Sequence, residues 1–173
     1  MAKDHHSDLP KDLKFTVIVT SDTILSKKSR GEPFNDSSGD AAESLVKGAG
    51  FFLADRIYLP NDVQSIRTAV GSIISSGSAD VVVVSGGTGV GRKDVTVEAV
   101  APLLEKVLPG FGELFRRLSY DTVGTSSIAS RSMAGIAKGV LVFLLPGSPD
   151  AVRLALEKII LPESPHLAKM FRG

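Results

Sequence analysis

The sequence predicts an α/β fold: a single domain of three-layer α/β/α build around a mostly parallel, twisted sheet. Three observations carry this expectation. Short apolar runs alternate with segments whose apolar residues recur at helical spacing, in the order β-α-β-α-β-α-α-β-α, and such alternation packs helices on both faces of a parallel sheet. The run Val81-Val82-Val83-Val84 is β-branched throughout, which suits a strand covered on both faces. Each strand also ends in a polar or Gly/Pro-rich cluster, at the edge where open α/β sheets bind ligands.

Residues 1–13 form a polar arm, followed by a strand at Lys14–Thr20 with Phe15, Val17, Ile18 and Val19, which ends at Ser21-Asp22-Thr23. Residues 24–38 lack a helical stripe and read as a long loop of the binding or mobile kind. Ala42, Leu45, Val46 and Ala49 recur at helical spacing, with Gly50 as the stop. A second strand, Phe52–Leu59, closes at Pro60-Asn61-Asp62, and Asp62 is placed to cap a helix carrying Ile66, Ala69, Val70, Ile73 and Ile74. The valine run is the third strand, and the helix after it is expected to carry Val97, Val100, Ala101, Leu104, Val107 and Leu108 up to Pro109-Gly110. Residues 111–118 form a further helix, and residues 122–132 are hydroxyl-rich, as at a surface or a site. Residues 136–140 read as a turn between short strands, Val140–Leu145 as a strand, and Pro149 as the first residue of a helix with the stripe Val152, Ala155, Leu156, Ile159, Ile160. Residues 161–173 form a short terminal helix or tail.

The 173 residues are 43% hydrophobic and 23% charged, a globular composition. A net charge of +1 gives no electrostatic footprint for nucleic acid. No stretch approaches the roughly 20 apolar residues that span a bilayer, and the opening residues are too polar for a secretory signal, so a cytoplasmic protein is expected. The absence of cysteine removes disulfides, thiolate nucleophiles and Cys-based metal sites together, leaving oxygen ligands. A mean hydropathy of +0.17 implies apolar surface covered by another subunit.

Ser85-Gly86-Gly87-Thr88-Gly89-Val90-Gly91-Arg92-Lys93-Asp94-Val95-Thr96 is the chemically richest segment. Its glycines let backbone approach an anion, a following helix N-terminus would direct N–H groups at it, and Asp94 offers a carboxylate to a metal ion. The natural ligand is a phosphate. The loop lacks the Gly-Lys-Ser/Thr close of a Walker motif and the dinucleotide fingerprint, so it also reads as a plain strand-to-helix turn, with Asp94 and Thr96 as caps. Asp62 has the same capping alternative. His5, His6 and His166 lack ligand spacing, and Ser130-Arg131-Ser132 has no nearby base to make a nucleophile.

Taken together, Ser85-Gly86-Gly87-Thr88-Gly89, Asp94-Val95-Thr96, Pro109-Gly110-Phe111-Gly112-Glu113, Ser130-Arg131-Ser132 and Leu145-Pro146-Gly147-Ser148-Pro149 resemble the MoaB/Mog family of molybdenum cofactor biosynthesis proteins. The likeness runs over residues 14–170 and takes in Ser21-Asp22, Asp36-Ser37-Ser38-Gly39 and Asp62; it departs in the polar arm and the basic segment Lys27 to Arg30.

The resemblance implies a three-layer domain, usually trimeric or hexameric, that binds molybdopterin and, in active members, ATP and Mg²⁺. Such members adenylylate the terminal phosphate of the pterin before a molybdenum-insertion protein acts. Carried onto matching positions, Asp62 and Asp94 are the catalytic and Mg²⁺-binding acids. Ser21, Asp22, Asp36, Gly39, the glycine loop with Thr96, Ser130-Arg131 and Pro146-Gly147-Ser148 are the ligand-binding segments. Two alternatives accompany this reading: a carrier or scaffold that holds pterin without catalysis, and a related domain acting on other nucleotides.

Overall fold

The computed structural model describes residues 9–173; of the expected polar arm, residues 1–8, with His5 and His6, lie outside the described residues. A six-stranded sheet in the order β2-β1-β3-β6-β5-β4 forms the middle layer. β1 (Lys14–Thr20) pairs in parallel with β2 (Phe52–Leu59) and β3 (Val81–Ser85), and β3 pairs in parallel with β6 (Val140–Leu145). β5 (Met133–Ala137) and the two-residue β4 (Lys106–Val107) complete it in antiparallel fashion. The β5–β6 turn uses Lys138, at φ 46°, and Gly139, at φ 79°, the left-handed pair a tight hairpin requires.

Strand periodicity divides the core into two layers. Phe15, Val17, Val81, Val83 and Phe143 pack one face against α2 (Ser37–Gly48), α5 (Pro109–Val123), and α6 (Pro149–Ala155), which runs on through one π turn into α7 (Leu161–Arg172). Ile18, Val82, Val84 and Leu144 pack the other face against α3 (Val63–Ser76) and α4 (Thr96–Val100). Every residue of β3 and β6 is buried, as expected for strands covered on both sides.

Two expected elements differ. The segment 24–38 is not all loop, because Asp22–Ser29 forms α1. Ser21 caps it, its Oγ accepting from Ile24 N at 3.2 Å, but the helix buries no residue, so it has no apolar stripe to betray it. The helix after β3 stops at Val100 rather than running to Leu108. Pro102 admits only a short 3₁₀ turn, and the chain then extends as an edge strand, with Glu105 N donating to Ile136 O and Leu108 N to Ala134 O.

The topology places the C-terminal ends of β2, β1, β3 and β6 side by side on one edge of the sheet. Four polar clusters distant in sequence therefore meet there.

Candidate functional site

The glycine loop leaves β3 at Ser85 and is tied on three sides. Gly86 N donates to Leu145 O at 2.9 Å, and Ser85 Oγ to Pro146 O at 3.4 Å, which joins the loop to the turn after β6. Gly86 sits at φ 107°, where a side chain is strained, and a Cβ there would lie 2.7 Å from the Thr20 carbonyl oxygen. Thr96 is fully buried and donates its hydroxyl to Gly86 O at 2.7 Å while its N–H donates to Gly87 O at 3.0 Å. That N–H thus faces its own loop. Asp94 does not cap α4 either: its Oδ2 accepts from Gly91 N at 2.8 Å and closes the tip of the loop.

Arg131 forms the third tie. Its N–H donates to Thr88 O at 2.9 Å, Nε to Gly89 O at 2.7 Å and Nη2 to Asp94 O at 2.9 Å, and the remaining edge of the fork pairs with Glu98. Hydrogen bonds from the Arg131 guanidinium hold the Glu98 carboxyl below its ordinary range. Arg131 is therefore a clamp on the loop carbonyls, with every arm engaged inside the protein.

Two cavities flank this loop. The larger, about 910 Å³, lies between the loop, the Pro146-Gly147-Ser148 turn, α5 and α6, a volume in the range of small-molecule sites. Gly87, Thr88, Gly89, Asp94, Ser130, Pro146, Gly147 and Ser148 line it, all nominated by sequence. The Thr88 hydroxyl is buried there and makes no hydrogen bond among the described residues, and the Gly87, Thr88 and Gly89 N–H groups likewise make none. The smaller cavity, about 400 Å³, is lined by Val90, Gly91, Arg92, Asp94, Val95, Glu98 and Arg131. Asp94 forms part of both walls.

The sequence reading missed much of the larger cavity. Phe115 and Ser119 of α5, and Asp150, Arg153, Leu154 and Glu157 of α6 and its π turn, form its other walls, while Thr122 and Val123 at the end of α5 open the hydroxyl-rich segment expected at a site. The second set recurs at helical spacing on the face opposite the apolar stripe, a signal present in the sequence. Ser126, Ser127 and Ala129 come from a 3₁₀ turn, Gly124–Ala129, inside the hydroxyl-rich segment. Asp94, Asp150 and Glu157 outnumber Arg153, so the lining is acidic.

The remaining nominated residues sit outside both cavities. Asp62 caps α3, its Oδ2 accepting from Ser65 N and Ser65 Oγ, each at 2.8 Å; these bonds hold its carboxyl below the usual range. It stands at the end of β2, two strands from β3, about 10 Å across the sheet edge by strand spacing. Ser21 caps α1, and Asp22 accepts from Asn61 N at 2.9 Å and pairs with Lys93 at 3.0 Å. Asp36 is buried as the cap of α2, bonded to Gly39 N at 2.9 Å and paired with Arg56 of β2. Burial opposes the Arg56 charge, but its bonds to Asp36 and Asp40 outweigh that and raise its pKa. Asp36 and Gly39 thus bond within the protein, and their helix meets the site through Ser38, whose Oγ donates to Gly147 O at 2.6 Å. No group of three or more His, Cys, Asp or Glu placed to hold a metal occurs among the described residues.

The sequence profile of the family described as "Probable molybdopterin binding domain" matches residues 16–166. The chain is 39% identical over 165 residues to molybdenum cofactor biosynthesis protein B of Bacillus cereus, covering 95% of this chain and 94% of that protein. Its fold superposes on a crystal structure of molybdenum cofactor biosynthesis protein B with a TM-score of 0.84 at 37% identity, over 96% of this chain and 100% of that one. It superposes on the tungsten cofactor synthesizing protein MoaB from Pyrococcus furiosus with a TM-score of 0.82 at 40% identity, over 95% and 99% of the two chains. The cavities, loop and strand order described above therefore occur in a chain that belongs to the MoaB/Mog family of molybdenum cofactor biosynthesis proteins.

Proposed function

We propose that the chain is a molybdopterin adenylyltransferase of molybdenum cofactor biosynthesis. The single observation that carries this reading is Asp94, one carboxylate forming part of the wall of two adjoining cavities at the tip of a loop with free N–H groups. A group transfer between two substrates needs two adjoining subsites and a shared centre of charge control. The larger cavity, with Phe115, Val123 and Leu154 beside serine and threonine hydroxyls, suits a fused heterocycle with polar edges.

In the reaction proposed, an oxygen of the terminal phosphate of molybdopterin attacks the α-phosphorus of ATP. The new P–O bond forms as the bond from the α-phosphorus to the bridging oxygen breaks, and pyrophosphate leaves with that electron pair. A phosphate monoester is already a nucleophile near neutral pH, so no serine or histidine base is needed; alignment and charge neutralisation suffice. The chain supplies alignment through the Gly87, Thr88 and Gly89 N–H groups and the Thr88 hydroxyl, on a loop fixed by Arg131 and Thr96.

The residues fit Mg²⁺. Asp94 spends Oδ2 on Gly91 N, its Oδ1 accepts no hydrogen bond among the described residues, and Asp62 offers a second exposed carboxylate from the end of β2, two strands away on the same sheet edge. When bound, Mg²⁺ neutralises polyphosphate charge in a cavity whose own lining is acidic.

The same reading makes the protein a cytoplasmic homotrimer or hexamer whose product passes to a molybdenum-insertion protein. Leu114, Tyr120 and Val123 of α5 are exposed, and Ile128 beyond it is 86% exposed, which supports a covering subunit. No helix among the described residues is long and apolar enough to cross a membrane. Adding molybdopterin to the protein with MgATP is expected to release pyrophosphate, and Asp94→Ala to bind pterin without turnover. Pterin binding with no nucleotide consumed by the wild type would make it a carrier instead.

A further inference from the structure

We propose that Lys93 is a polyphosphate ligand parked on Asp22 in the free protein, and that Asp22 is a positioning residue joining the loops that carry Asp62 and Asp94. This rests on the adenylyltransferase reading above. Asp22 Oδ2 accepts from Lys93 Nζ at 3.0 Å and its Oδ1 from Asn61 N at 2.9 Å. Lys93 precedes Asp94 and Asn61 precedes Asp62, so one carboxylate at the end of β1 bridges the ends of β3 and β2, where the two acids stand.

The two ends of this bridge differ in strength. Asp22 is fixed: Ser21 before it donates its N–H to Leu59 O at 2.9 Å and caps α1. Lys93 reaches it on a side chain 80% exposed, and an exposed ion pair of this kind is weak and readily exchanged. A polyphosphate presents several charges at once and takes the ammonium from Asp22 at little cost, while Asp22 keeps its bond to Asn61.

Arg92 of the same loop lines the smaller cavity directly, whereas two other nearby cations are committed. Arg131 is spent on Gly89 O, Asp94 O and Glu98, and Arg116 donates to Ser130 O and Ser132 O. Arg153 lines a wall that also carries Asp150 and Glu157. Of the two loop cations, Arg92 already lines the smaller cavity, and Lys93 is the one held on a half-exposed, easily exchanged partner.

Calorimetric titration of MgATP, and of magnesium tripolyphosphate, into four full-length chains tests the assignment: wild type, Lys93→Met, Asp22→Asn and the double variant. Lys93→Met is expected to weaken binding about tenfold, the loss of one charge-assisted contact. Asp22→Asn keeps an acceptor for Asn61 N and frees Lys93, so binding tightens about threefold. The double variant then binds like Lys93→Met. Asp22→Ala, which also loses the Asn61 bond, is expected to lower kcat severalfold, with Asp22→Asn restoring it, a split that separates positioning from a general loss of stability. Lys93→Met binding like wild type, or Asp22→Asn acting equally in both backgrounds, overturns the parked-ligand role; equal kcat in Asp22→Ala and Asp22→Asn overturns the positioning role. A wild type that binds neither probe removes the adenylyltransferase reading as well, whereas binding and turnover unaffected by Lys93→Met removes this inference alone.

Discussion

Replacing Arg131 by methionine tests how the glycine loop is held. The substitution keeps an apolar stem of similar reach but removes the donors to Gly89 O and Asp94 O, together with the Glu98 pair. The backbone bond from Arg131 N to Thr88 O is unaffected. The side chain is 35% exposed, so solvent screening reduces the two charged bonds below the usual range for their kind, to about 1 kcal/mol each. The half-exposed Glu98 pair adds about 0.5 kcal/mol. A loss of about 2–3 kcal/mol lowers Tm by roughly 5–10 °C in a domain of this size. Because the lost donors hold the carbonyls on either side of the Asp94 carboxylate, turnover should fall at least about tenfold in protein still fully folded at the assay temperature. Arg131→Lys should recover little, since a single ammonium cannot serve two carbonyls and a carboxylate in one fork. Thermal unfolding and pyrophosphate release measure the two effects. A methionine variant that melts within about 1 °C of wild type and turns over at the same rate would refute the clamp.

The same geometry carries other expectations. Arg56→Met strands the buried Asp36 carboxylate, and its cost should be about 2–4 kcal/mol by urea unfolding, large for a residue remote from either cavity. An unchanged midpoint would show that Asp36 needs no partner. Glu98, held below its ordinary 4.5 by Arg131, stabilises the fold fully above that value and loses this contribution as pH falls through the depressed folded pKa. Glu98→Gln should therefore be less stable than wild type at pH 6 and converge with it once the pH lies below the depressed folded pKa, and a difference that stays constant into acid would contradict the assignment. Light scattering at low micromolar concentration should show a trimer or hexamer, and a species of 18.2 kDa alone would exclude it.

Much of this was legible before any coordinates. The bounds of β1 and β2 follow from continuous apolar runs closed by polar residues, and the valine run marks a central strand because only a doubly covered strand tolerates such a pattern. The four strand ends could be read as one edge because parallel order follows from alternation. α1 escaped notice because a capped surface helix without an apolar face resembles a polar loop. The helix after β3 was overrun because Leu104, Val107 and Leu108 keep helical spacing past Pro102, and only their pairing with β5 reveals the edge strand. Site residues divide in the same way. The glycine loop and the Pro146-Gly147-Ser148 turn announce themselves by backbone demands that few residues meet. The partners of Arg131 and Asp36 lie tens of residues away, so no local pattern distinguishes a clamp or a buried cap from a ligand. The α6 wall is hard to see in the sequence because the helix's apolar stripe marks the core, while its outward residues Asp150, Arg153 and Glu157 resemble any solvated face.

Asp94 controls charge between two substrates that react across one wall, and mass spectrometry of the pterin after incubation with ATP tests this. An AMP-linked molybdopterin is expected with wild-type protein in the presence of Mg²⁺, and none when Mg²⁺ is chelated or with Asp94→Asn, a variant that keeps the acceptor for Gly91 N. An AMP-linked product formed equally by Asp94→Asn, or a wild type that holds unmodified pterin beside unconsumed MgATP, would contradict it.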